Sequence, residues 1–211
     1  MDKIICVGKN YSEHSAELGD VHPEKPVLFI KPPSVLRTVG ANGCLLNLKL
    51  PRHSEQVHHE VELVFRIDRD GFRMTRAEAE KALGAMTVGL DMTLRDIQQE
   101  CKRKGTPWTT GKVFPDAAVI GPWIEIQSST QALEEEFSFS LDGVLKQRAR
   151  GQQMSHDPFE CLSYVSQFFP VCKGDLLFTG TPVGVGPVSL GQTGEVRCGP
   201  IHYKVKWSEL V

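Results

Sequence analysis

Hydrophobic and polar residues alternate along this chain with two periods, and the shorter one dominates. In residues 57–67, Val57, Val61, Leu63, Phe65 and Ile67 fall on one face and His58, Glu60, Glu62 and Arg66 on the other. That pattern predicts a strand with one apolar face. Residues 3–7 and 26–31 predict two more strands, the second closed by Pro32-Pro33, and residues 86–90 predict a buried strand that ends at Asp91. Strands are also expected at 122–126, 137–141, 144–146 and 175–179, and the alternating tail 195–207 should pair as strands. Asp142-Gly143 is a two-residue hairpin signal. The helical patterns are short. Residues 10–18 carry capping-box spacing at Asn10 and Glu13 with Gly19 as the stop, and residues 76–83 and 158–169 are two others. A fourth runs over 93–104, where Thr93 would be the cap, Leu94, Ile97 and Cys101 the apolar stripe, and Gly105 the end. Many short segments punctuated by 19 glycines and 13 prolines predict a β-rich α+β fold and not a helical bundle.

Composition narrows the picture. A length of 211 residues favours one domain, 1–211, with a core large enough to need no staples. Hydrophobic residues at 40% and charged residues at 24% exclude wholesale disorder. No apolar run approaches the ~20 residues that span a bilayer. Residues 1–8 turn polar too quickly for an export signal, so a cytoplasmic location is expected. A net charge of −2 gives no electrostatic case for nucleic acid or an anionic membrane as partner. The six cysteines contain no Cys-x-x-Cys pair, which removes support for a zinc ribbon. They are expected to be free thiols, mostly buried as small apolar residues.

Candidate chemistry starts at His58-His59-Glu60-Val61-Glu62. Residues two apart on a strand point the same way, roughly 6.6 Å from each other, so Glu60 and Glu62 would share one volume with His58 beside them. Like charges on one face repel unless a cation lies between them. Oxygen donors suit Mg²⁺, Mn²⁺ or Ca²⁺ better than zinc. The same pattern also describes a solvated strand face. Asp91, where an apolar strand ends, either lines a site or simply begins a turn. Arg95 places a cation in the first turn of a helix against the macrodipole; a nearby anion would account for it, and so would chance at a surface position. His14 and Glu17 are three apart on the short first helix, a spacing that lets a carboxylate orient an imidazole as a general base. So short a helix could order over a ligand as a lid, or the two could be an exposed pair. Three glycines in loop 180–187 allow N–H groups to approach an anion, although a tight turn would use them too. Lys112 carries no signal of its own.

Taken together these blocks resemble the fumarylacetoacetate hydrolase family. The resemblance rests on Asn10-Tyr11-x-x-His14-x-x-Glu17, Leu28-Phe29-Ile30-Lys31-Pro32 and His58-His59-Glu60-Val61-Glu62-Leu63. It continues through Leu90-Asp91-Met92-Thr93-x-Arg95-Asp96-x-Gln98, Lys104-Gly105-x-Pro107-Trp108-Thr109-x-x-Lys112 and Gly174-Asp175-x-x-x-Thr179-Gly180-Thr181-Pro182-x-Gly184-Val185-Gly186. It is closest to the short branch that includes acylpyruvases and oxaloacetate decarboxylases, without the extra N-terminal domain of the long members. It implies a mixed β-sheet roll with a few short helices, a homodimer, and Mg²⁺ or Mn²⁺ held by Glu60, Glu62 and Asp91. It further implies a catalytic group of His14, Glu17 and Lys112, with Lys31, Arg95, Gln98, Gly180 and Thr181 at the substrate, a small 2-oxo acid. Gly111 stands where the family is expected to carry Ala, and Val183 where a polar residue is common. The implied chemistry passes through a metal-stabilised enolate. Water activated by His14 would split an acylpyruvate, with Lys112 stabilising charge. Loss of CO₂ from oxaloacetate, or proton shifts in a hydroxymuconate-type acid, would use the same enolate. An isomerase or tautomerase is thus the alternative to a C–C hydrolase.

Overall fold

The computed structural model describes residues 1–12 and 23–211, and strands form its framework. These are β1 (Ile4–Gly8), β2 (Val27–Lys31), β3 (Leu36–Thr38), β4 (Leu45–Leu50), β5 (Val57–His59), β6 (Val61–Ile67), β7 (Leu83–Asp91) and β8 (Thr93–Leu94). The second half adds β9 (Ala118–Ile120), β10 (Ile124–Glu125), β11 (Glu136–Leu141), β12 (Val144–Arg150), β13 (Leu176–Phe178), β14 (Gly186–Pro187), β15 (Thr193–Cys198) and β16 (Ile201–Leu210). The helices are α1 (Arg76–Ala82), α2 (Arg95–Lys104), α3 (Thr109–Lys112), α4 (Ser129–Glu134) and α5 (Pro158–Val165). The mixed, β-rich α+β architecture expected from the sequence is the one observed.

One sheet runs β2-β1-β13-β6-β7-β9-β3, with β10 also on β7, and another runs β12-β11-β15-β16-β4. Pairing is parallel at β1–β13, β3–β9 and β4–β16 and antiparallel elsewhere in these two sheets. A small third sheet, β14-β5-β8, lies beside them. The core fills the space between the large sheets: Phe65 and Val88 from one, and Phe137, Phe139, Val196, Tyr203 and Trp207 from the other, are buried. The Tyr203 hydroxyl crosses between them, donating to Val88 O at 3.1 Å. Among the described residues no helix is long and apolar enough to cross a membrane. The six cysteines are free; four are buried, Cys172 is half-buried and Cys44 is exposed.

Three sequence expectations change. The strand over 57–67 breaks at Glu60, because β5 pairs with β14 and β8 whereas β6 pairs with β13 and β7. Both faces of β6 are covered, so Glu62 and Val64 are as buried as Val61 and Leu63. Thr93 does not cap a helix: it pairs in β8 with His58, and α2 begins at Arg95 without a side-chain cap. The helix expected over 158–169 ends as α-helix at Val165. Gly105 terminates α2 in the left-handed region (φ 68°), and Asp142 and Gly143 (φ 48° and 80°) make the hairpin turn, both as expected. From residue 13, the first predicted helix lies outside the described residues.

Asp175 ties the N-terminus to β13. Its carboxylate accepts from Asp2 N (2.8 Å), Lys3 N (3.0 Å) and Cys172 N (2.9 Å), and Lys3 Nζ lies 2.9 Å away. Burial alone would raise its pKa, but these N–H groups and the ammonium outweigh it and hold the carboxyl below the usual aspartate value. A depressed carboxyl pKa contributes stability above the unfolded value of about 3.9 and loses it as pH falls through the folded value. Asp175→Ala is expected to lower unfolding free energy at pH 7 by roughly 2–4 kcal/mol. Urea midpoints should show this gap closing as the solution is acidified below the ordinary aspartate range.

Candidate metal centre and its cleft

Glu60 leaves the chain where it passes from β5 to β6, Glu62 is the second residue of β6, and Asp91 is the last residue of β7. β6 and β7 are antiparallel neighbours with Val61 opposite Leu90, so their ends meet, and Asp91 N donates to Glu60 O at 2.8 Å. Glu60, Glu62 and Asp91 are 5%, 2% and 1% exposed, and one oxygen of each lies within 4.8 Å of the others. That excludes the solvated strand face. Burying three carboxylates together is costly unless cations compensate.

The chain supplies three cations of its own. Lys112 Nζ, carried by α3, donates to Glu60 Oε2 (2.8 Å), Asp91 Oδ2 (2.8 Å) and Thr93 Oγ1 (2.7 Å). Lys31, at the end of β2, lies 2.5 Å from Asp91 Oδ1 and donates to Ala117 O (2.6 Å) and Met92 O (3.0 Å). Arg95 bonds Glu60 Oε1 and, at 2.6 Å, Gln98 Oε1. The helix-opening arginine therefore has its anion. Burial pulls against the charge on Lys112, but Asp91 and Glu60 outweigh it and raise its pKa, so it stays an ammonium. Glu62 is pushed toward its neutral form: burial, then the charges of Asp91 and Glu60, raise its carboxyl well above the ordinary range. Its bond from Gly180 N (2.8 Å) only partly offsets this.

An oxygen-only donor set of this kind fits a hard divalent cation. Ligand oxygens about 2.1 Å from a common octahedral ion stand roughly 3–4 Å apart, so modest side-chain rotation brings these three carboxylates onto one ion. Each carboxylate oxygen has two lone pairs, and a lysine on one leaves the other for the ion.

The carboxylates floor a narrow cleft whose walls include Lys9, Phe29, Lys102, Trp108 and Thr181. Arg95, Gln98 and Lys112 also line it. Lys31 does not: it stands behind Asp91, fully buried, where it orients a carboxylate. The anion at Gly180 is the protein's own Glu62. Gly111 lets α3 approach α2 closely; a Cβ there would lie 2.9 Å from Gln98 N. Val183 is exposed and is not part of the cleft wall. His14 and Glu17 lie outside the described residues. His58 and His59 are held neutral, each with its pKa lowered to about 4, chiefly by burial. His59 packs on Phe139 at 4.2 Å instead of facing the carboxylates.

Sequence reasoning missed Thr93 as a partner of Lys112, the Phe29–Trp108 wall, and Gln147, a buried side chain reaching the site from β12. Trp108 and Thr93 stood inside quoted motifs and could have been weighed there. Gln147 carried no signal, since a glutamine on an alternating strand reads as a surface residue.

Buried carboxylates with lysine and arginine partners, at the meeting of two strands of a mixed β-sheet, form a cluster that could hold a metal ion. Residues 3–202 match the family described as fumarylacetoacetate (FAA) hydrolase C-terminal, and the chain belongs to it. It is 37% identical over 90% of its length, and 85% of the relative's, to the oxaloacetate tautomerase of Escherichia coli. It is 36% identical to the mitochondrial oxaloacetate decarboxylase of Dictyostelium discoideum, covering 93% of this chain and 88% of that one. The crystal structure of fumarylpyruvate hydrolase from Pseudomonas aeruginosa in complex with Mn²⁺ and pyruvate superposes with a TM-score of 0.91 at 35% identity, over 99% of this chain and 91% of that one.

Proposed function

We propose that this protein is a metal-dependent enzyme that enolises small 2-oxo acids carrying a second carboxyl or carbonyl group, with tautomerisation of an oxaloacetate-type diacid as its reaction. The observation that carries the reading is the convergence of Glu60, Glu62 and Asp91 beneath a narrow cleft whose fixed cations surround them. A Mg²⁺ or Mn²⁺ ion held there would draw electron density from the carboxylate and keto oxygens of a bound 2-oxo acid and lower the cost of its enolate. Lys112, held between Glu60 and Asp91 at the cleft floor, is placed to donate a hydrogen bond to a developing oxyanion. Arg95 and Lys112 on the cleft wall place two fixed positive charges beside the carboxylates, where an anionic substrate would meet them. Gln98, tethered to Arg95, and Thr181 offer polar contacts that orient the acid. His14, with Glu17, is the candidate for moving the proton at C3.

A second reading, C–C hydrolysis of acylpyruvate-like 3-oxo acids, is favoured by the His14/Glu17 spacing and by the likeness to a fumarylpyruvate hydrolase. The test is a turnover panel of oxaloacetate, acetylpyruvate and fumarylpyruvate, run with Mn²⁺, Mg²⁺ and chelator. Enol–keto exchange of oxaloacetate is followed by ultraviolet absorbance, and pyruvate and CO₂ by coupled assays. Metal-dependent exchange of oxaloacetate faster than any pyruvate release supports the first reading; pyruvate release from acetylpyruvate or fumarylpyruvate as the faster reaction replaces it with the second. A homodimer belongs to the same proposal, and light scattering on the eluting protein tests it.

A further inference from the structure

β13 accompanies β6 only as far as Phe178 opposite Val64. Thr179 still reaches Leu63 O with its backbone N–H (3.2 Å) and its hydroxyl (2.8 Å), and the chain then turns at Gly180 (φ 95°). Beyond that point side chains take the place of the departed strand. Val61 N donates to Gln147 Oε1 (3.1 Å), and Val61 O accepts from Thr181 Oγ1 (2.9 Å). Gln147 Nε2 closes the loop by donating to Thr181 Oγ1 (2.8 Å), and it also donates to Pro182 O (2.8 Å).

Every direction in this circuit is fixed by its ends. A backbone N–H can only donate and a backbone C=O can only accept. The amide oxygen of Gln147 therefore faces Val61, its nitrogen faces Thr181, and the Thr181 hydroxyl commits its proton to Val61 O. The same logic fixes His59, whose Nδ1 lies 2.9 Å from Gln147 Oε1 and must carry the ring proton. Val61 stands between Glu60 and Glu62, and the turn that Gln147 holds at Thr181 and Pro182 begins at Gly180, the N–H donor to Glu62.

We infer that Gln147 is a positioning residue of the metal centre: its amide, reaching across from the second sheet, locks Val61 to the turn at 180–182 and thereby aims Glu60 and Glu62 at a common ion. The inference rests on the reading of these carboxylates as metal ligands. Nothing in a strand's alternation would mark such a residue, because its partners lie outside its own sheet.

Calorimetric titration of the chelator-treated full chain with Mn²⁺ tests it. Partners that orient metal ligands typically contribute about 10–100-fold in affinity, and Gln147→Met is expected to weaken Mn²⁺ binding by that factor. Thr181→Val should reproduce the loss, Thr181→Ser should rescue it, and the Gln147→Met/Thr181→Val pair should lose no more than either alone. Val196→Ala, which trims a fully buried side chain in β15 of the same second sheet, is the control. It should lower the melting temperature and leave Mn²⁺ affinity unchanged. Gln147 variants that bind Mn²⁺ as tightly as the parent, or a Val196→Ala loss of equal size, overturn the positioning role. Should Gln147→Met not fold, equal affinities for Thr181→Val and Thr181→Ser overturn it. A parent chain that binds no Mn²⁺ refutes the metal reading itself, an outcome distinct from unaffected variants.

Discussion

Glu62→Gln is expected to abolish metal-dependent turnover and to weaken Mn²⁺ binding by on the order of a hundredfold or more, while leaving the metal-free protein as stable as the parent. The two halves of that expectation have separate causes. A neutral amide is a poor substitute for an anionic oxygen on a hard cation. Without metal, however, the Glu62 carboxyl already resists ionisation, first through burial and then through the charges of Asp91 and Glu60. Removing its charge therefore takes away little that stabilises the fold. The glutamine oxygen still accepts from Gly180 N, so the 2.8 Å bond of the parent has a successor. Calorimetry with Mn²⁺, the oxaloacetate assay and urea unfolding in chelator measure the three quantities. Retained turnover would remove Glu62 from the ligand set.

Lys112→Met should have the opposite signature. It strips the ammonium that bridges Glu60 Oε2 and Asp91 Oδ2 at 2.8 Å each and leaves buried charge without its partner. Breaking one side of a buried ion pair costs roughly 3–5 kcal/mol, and a loss of that size is expected in chelator. A divalent ion can compensate the same carboxylates, so Mn²⁺ should restore much of the stability while turnover stays lost. Unfolding curves with and without Mn²⁺ give the comparison. A destabilisation of equal size in both conditions would show that the ion and the lysine do not share these carboxylates.

Much of the fold was legible because short strands advertise themselves. The strand over 61–67, the Asp142-Gly143 turn and the αL stop at Gly105 each have a local cause and appear where that cause placed them. The failures share a non-local cause. Thr93 has the composition of a helix cap, but β5 offers it a strand partner and Lys112 takes its hydroxyl. β4 was not anticipated, since Leu45-Leu46-Asn47-Leu48-Lys49-Leu50 alternates raggedly and its parallel partner β16 lies more than a hundred residues along the chain. Lys31 was assigned to the substrate on motif position alone, and only packing shows that its ammonium ends at Asp91 and two backbone carbonyls.

By itself the sequence determined which donors are present: two glutamates two residues apart on a strand pattern and an aspartate at a strand end. Spacing along a strand is a local property, and it holds wherever that strand is placed. Tertiary structure decided that these carboxylates are buried instead of solvated, which cation faces which oxygen, and that Gln147 reaches β6 from another sheet. Those outcomes depend on which strands become neighbours, and neighbours are chosen by burial of the whole core, not by any segment's own pattern.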